Sequence, residues 1–132
     1  MRVLVELPQS PRRLARPFQL LLNAAAEMAA AKKAEVPLPF LYETNVRYQA
    51  EPQTGTGIEE FASPWMVLQR GWGDCDDLVI WRIAELLHAG RPSHARILRL
   101  GTRYHCQVTR DFDGLIEDPC LQRLGKPCLF RL

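Results

Sequence analysis

The chain has 132 residues, 47% of them hydrophobic and 24% charged, with a formal net charge of 17 − 15 = +2. That composition fits one ordinary globular domain, long enough to bury a real core. So small a charge, with no basic block longer than Pro11-Arg12-Arg13, does not point to nucleic acid, and the longest apolar stretch, Phe18 to Ala31, is too short and too polar to span a bilayer.

Met1 to Leu7 alternates weakly and reads as a short edge strand ended by Pro8 and Pro11. It carries Arg2 and Glu6 and is not read as a signal peptide. Without such a signal, Cys75, Cys106, Cys120 and Cys128 are expected to be reduced thiols. The compartment follows as the cytoplasm or a particle assembled there. Pro17 suits the first turn of an alanine-rich helix running to about Glu35, whose small residues suggest close packing on a helix or sheet. Leu41 to Ala50 reads as extended loop or strand, and Glu51 to Gly57 as a turn-rich connection. Glu59-Glu60-Phe61, with Ser63 to Gln69, reads as a short capped helix.

The chain is organised around Gly71-Trp72-Gly73-Asp74-Cys75-Asp76-Asp77. Asp74 is placed to cap a helix and Asp77 to complete a capping box. Behind them Val79, Ile83, Leu86 and Leu87 recur at helical spacing, until Gly90-Arg91-Pro92 stops the helix. Cys75 therefore falls on the first turn, where unpaired N–H groups and the helix dipole favour a thiolate. Asp74, Asp76 and Asp77 oppose it as solvated negative charges, so a nearby imidazolium has to win.

Beyond the helix the period changes to two. Ala95 to Leu100, Arg103 to Arg110 and Leu115 to Asp118 read as an antiparallel meander with turns at Gly101-Thr102 and Asp111 to Gly114. One central helix followed by such a meander is an α+β arrangement. His105 and Asp118 fall on neighbouring strands and can lie side by side. A thiol, an imidazole and a carboxylate are what nucleophilic acyl transfer requires. A zinc site from His105, Cys106, Cys120 and Cys128 fits poorly, because the spacing holds no Cys-x₂-Cys pair and strand neighbours point to opposite faces. No metal and no cofactor are expected. Cys106, Cys120 and Cys128 read as buried or incidental thiols, and His88 and His94 as structural.

Gly-Asp-Cys-Asp-Asp at a helix start, Tyr104-His105 on a strand and Glu117-Asp118-Pro119 after a hairpin resemble the transglutaminase-like cysteine protease superfamily. More narrowly, Leu41-Tyr42-Glu43, Val46-Arg47-Tyr48 and Gly71 to Leu78 are similar to a compact family of bacteriophage and prophage proteins. The resemblance covers residues 41–125 within a single 1–132 domain, residues 1–40 adding the N-terminal strand and packing helix. It implies a papain-like core and a catalytic triad of Cys75 as nucleophile, His105 as general base and Asp118 as its orienter. The chain departs from the pattern at Cys106-Gln107, where many such proteins have Ala-Trp.

Gln69, six residues before the cysteine, and Trp72 are candidates for the oxyanion donor that would assist the Cys75 N–H. The chemistry expected is hydrolysis of a peptide or carboxamide bond, or acyl transfer to an amine, on a protein or peptide substrate in a bacterial host cell or phage particle. The competing expectation is a non-catalytic phage assembly protein that keeps the fold and associates with phage structural proteins.

Overall fold

A computed structural model describes residues 2–6, 11–50, 58–101 and 103–132, with side chains described within 16–50, 61–101 and 103–132. The turn-rich connection 51–57, Pro8 and Thr102 lie outside the described residues. Strand β1 (Arg2–Glu6) is followed by helix α1 (Pro11–Lys33), a 3₁₀ turn at Leu41–Glu43, and strands β2 (Arg47–Tyr48) and β3 (Ile58–Ala62). Helix α2 (Pro64–Arg70), strand β4 (Trp72–Gly73) and helix α3 (Cys75–His88) carry the motif. Strands β5 (Ser93–Leu100), β6 (Arg103–Arg110) and β7 (Leu115–Glu117), helix α4 (Pro119–Arg123) and strand β8 (Leu129–Arg131) complete the chain.

The fold is α+β: β5-β6-β7-β8 form an antiparallel sheet, β1 pairs antiparallel with β3, and β2 pairs parallel with β4. Three expectations are corrected. Residues 59–61 are strand rather than helix, because β1 supplies a pairing edge from far away in sequence. Helix α1 begins at Pro11, not Pro17, and carries Pro17 inside it. Helix α4 and strand β8 are additional elements, made from a capped turn and a hairpin pairing with β7.

Helix α3 is the centre of the molecule. Leu78, Val79, Ile80, Trp81, Ile83, Ala84 and Leu86 are all buried, so the helix is enclosed on most of its sides. Val79, Ile80, Ile83 and Leu86 share one core with Phe18, Leu22 and Ala26 of α1 and Ala95, Cys106 and Val108 of the sheet. The buried alanines of α1 let that helix approach closely. Leu78 and Trp81 share a second core with Leu38, Leu41, Val46, Val67 and Cys120. Cys75 packs against both cores, where they meet at the start of α3. Among the described residues no helix is long and apolar enough to cross a membrane.

A charged cluster ties the segment around Tyr42 to α3 and β7. Arg82 bonds Glu85 and Glu117, while Tyr42 and Arg110 also donate to Glu117. Glu117 is 2% exposed and Arg82 18% on their side chains. Arg123 donates to the carbonyls of Leu41 and Thr44, closing the same segment from α4. Arg82→Met is expected to destabilise the fold by about 2–3 kcal/mol in urea unfolding. Breaking a buried pair costs ~3–5 kcal/mol, and here Arg110 and Tyr42 still satisfy part of Glu117.

Candidate active site

The loop that delivers Cys75 is built by local rules. Ser63 caps α2 by accepting from the Met66 N–H, and Gly71 ends that helix at φ 84°, a left-handed conformation that favours glycine. Gly73 passes so close to both α2 and α3 that a Cβ there would lie 3.1 Å from the side chains of Val67 and Leu78. Asp74 then caps α3 in the full reciprocal capping box with Asp77. Cys75 is the first helical residue and is half-buried.

His105 and Asp118 meet as side chains. His105 Nε2 lies 2.6 Å from Asp118 Oδ2, and Gln107 Nε2 donates to the same oxygen at 3.0 Å. The other oxygen, Oδ1, caps α4 by accepting from the N–H groups of Cys120 and Leu121. Asp118 is 1% exposed, yet both its oxygens are satisfied. With Nε2 engaged by Asp118, Nδ1 is the ring nitrogen left for Cys75, and the thiol and the ring each shift the other's protonation.

The electrostatics follow from these contacts. Asp118, with Cys75 in support, raises His105 from 6.5 to about 10, so the ring is a cation at neutral pH. Burial works against the Asp118 carboxylate, but the hydrogen bonds from His105 and Gln107 outweigh it and leave its pKa lowered. The Cys75 thiol is held well below the ordinary value. The Cys106 thiol contributes most, burial opposes, and His105 adds a hydrogen bond and its charge. Cys106 is correspondingly pushed up by its bond to Cys75 and by burial. Of the two, Cys75 holds the negative charge, because it faces the imidazolium while Cys106 lies at 0% exposure in the apolar core.

The aspartates around Cys75 are not the solvated charges expected from the sequence. Asp74, Asp76 and Asp77 are all buried. Burial, then Asp76, pushes Asp74 up to about 11, which leaves it a neutral acid at pH 7. Burial and Asp74 push Asp77 up to about 9, against the Ala62 N–H and the Arg70 guanidinium, which lies 2.7 Å from its Oδ2. The negative charge opposing the thiolate is therefore smaller than three carboxylates would give. These aspartates also bring their oxygens within 4.8 Å of one another, a spacing compatible with a cation, but capping and Arg70 already occupy oxygens of Asp74 and Asp77.

No family model, curated protein or solved structure matches the chain. The site therefore rests on its own geometry. Gln69 is exposed near the end of α2, and the Trp72 ring is covered by the Arg70 guanidinium at 3.7 Å. Trp81 is a core residue whose indole N–H donates to Pro39 O, and His94 pairs with Asp111 on the surface. Two contributors at the site were not singled out from sequence. Gln107 holds Asp118, a role signalled only by its sharing a strand face with His105. Cys106 reaches Cys75 from the next position of β6. Neighbouring strand residues point to opposite faces, so contact with both 105 and 106, including the Cys106 backbone, sets Cys75 directly against the strand.

Proposed function

We propose that the chain is a thiol-dependent hydrolase or acyltransferase with a papain-like, transglutaminase-like core, acting on peptide or carboxamide bonds. The observation that carries this reading is the Cys75–His105–Asp118 relay, in which one buried carboxylate fixes an imidazolium beside a thiol at a helix start. The Cys75 thiolate attacks the carbonyl carbon, forming a C–S bond as the carbonyl π pair moves to oxygen. Collapse of that intermediate expels the amine, which takes its proton from His105, and leaves a thioester on Cys75. Water, deprotonated by the now neutral His105, then hydrolyses the thioester. An amine in place of water gives transfer, but hydrolysis is favoured because water is always present. The resemblance at residues 41–125 supports reading such an enzyme as phage- or prophage-encoded, acting in the host cell or the particle.

Selective alkylation tests the reading. Cys75 and Cys128 are both half-buried, but Cys128 is pushed up by burial and by Glu117 and Asp118. At about pH 6.5, iodoacetamide is expected to label Cys75 about tenfold faster than Cys128. The larger thiolate fraction of Cys75 at this pH outweighs the lower intrinsic nucleophilicity of an acidic thiol. Peptide mapping of a time course reads the result. Equal labelling of the two would favour the non-catalytic assembly protein, in which the motif is only structure.

A further inference from the structure

An acyl transfer through Cys75 develops negative charge on the carbonyl oxygen, and two donors are usually needed to hold it. The Cys75 N–H is one, since the first N–H groups of a helix have no partner within it. The second has to come from something beside the start of α3. Strand β2 lies there: Tyr48 is in register with Gly73, Arg47 N–H donates to Gly71 O at 3.0 Å, and Gln49 N–H donates to Gly73 O at 2.9 Å. The Tyr48 side chain is half-buried and packs on the same core as Cys75, the core that contains Cys120. Strand β2 also contacts α4, the helix capped by Asp118.

Four other side-chain donors of the surrounding elements are committed, and Gln69 is exposed near the end of α2. Tyr42 donates to Glu117, Trp65 to Pro37 O, Trp81 to Pro39 O and Gln107 to Asp118. Among the described residues none hydrogen-bonds the Tyr48 hydroxyl. We propose that the Tyr48 hydroxyl is the second oxyanion donor, placed by the parallel pairing of β2 with β4 to act with the Cys75 N–H. This rests on Cys75 being the acyl-accepting nucleophile. Burial, followed by the nearness of Cys120, Cys75, Asp74 and Asp118, pushes the Tyr48 hydroxyl up to about 12, so it keeps its proton and remains a donor at neutral pH. In the addition step the hydroxyl and the Cys75 N–H each donate one hydrogen bond to the new oxyanion. Both bonds weaken when the C=O re-forms and the leaving group departs, and no proton is transferred from Tyr48.

Two probes of the same sulfur separate this role from a structural one. Acetylation by p-nitrophenyl acetate passes through a tetrahedral oxyanion, whereas alkylation by iodoacetamide is a direct displacement and forms none. Rates at Cys75 are read by peptide mapping at saturating pH, with Cys75→Ala as the blank. Tyr48→Phe, which keeps the ring, is expected to lower the acetylation plateau ~10²-fold while leaving the alkylation plateau unchanged. Equal acetylation plateaus in the two proteins would overturn the proposal, and so would a parallel fall in both reactions, which would make Tyr48 a residue that shapes the thiol. Wild-type protein that alkylates Cys75 no faster than Cys128 would instead overturn the nucleophile itself, an outcome visible before any variant is made.

Discussion

Replacing Cys75 with alanine is expected to abolish acyl-transfer chemistry while leaving the fold in place. Loss of the nucleophile in a triad enzyme costs on the order of 10⁶ in rate, since no other group can form the covalent intermediate. Cys106 cannot substitute, because it is fully buried in the apolar core and its thiol is pushed up rather than down. Structural loss should be small, ~1 kcal/mol, because Cys75 is only half-buried and alanine is the best helix former. The checks are p-nitrophenolate release from p-nitrophenyl acetate and a urea unfolding curve on the same sample. Turnover that survives in a folded Cys75→Ala protein would remove Cys75 from the mechanism.

The second large effect belongs to His105. Its imidazolium is a principal partner of the Cys75 thiolate, so His105→Ala is expected to move the iodoacetamide pH profile of Cys75 upward, toward that of an ordinary thiol. At about pH 6.5 the alkylation rate should fall about tenfold or more, each pKa unit representing 1.36 kcal/mol of lost preference for the thiolate. Above pH 10 the wild-type imidazole is itself neutral, so the two profiles should converge there. The same contact has a stability signature of opposite direction in pH. The ring binds its proton more tightly folded, at about 10, than at its ordinary 6.5. Its contribution is therefore complete below pH 6.5 and lost as pH rises toward 10. Wild-type stability should decline over that interval by an amount the variant lacks. An alkylation profile unchanged in His105→Ala would mean that the ring and the sulfur are not coupled.

How much of this could be seen in the residues alone depended on distance along the chain. The start of α3 was legible because every device in it is local: a left-handed Gly71, a capping Asp74, and an answering Asp77 three residues on. The strands around His105 and Asp118 were legible from alternation and from the turn between them, and their meeting followed from adjacency in a hairpin. Burial of the three aspartates was not, because it depends on Arg70, the Ala62 N–H and the packing of α2, none of which the period of α3 encodes. Residues 59–61 failed for the same reason: their partner is β1, more than fifty positions earlier. The neighbourhood of Tyr48 is likewise set by a parallel pairing across the chain, which leaves no local signature.

Asp118 has a consequence for timing. One oxygen starts α4, the other orients His105, and its backbone N–H donates to Cys128 O at 2.8 Å. The base is therefore oriented only when the helix is capped and the last hairpin is closed. During synthesis, which delivers Cys75 and His105 first, the imidazole beside the thiol lacks the carboxylate that orients it until the chain has grown past residue 128 and folded back. In a nascent or C-terminally frayed molecule His105 is therefore expected to lack its orienting carboxylate, which arrives with the same closure that completes the fold.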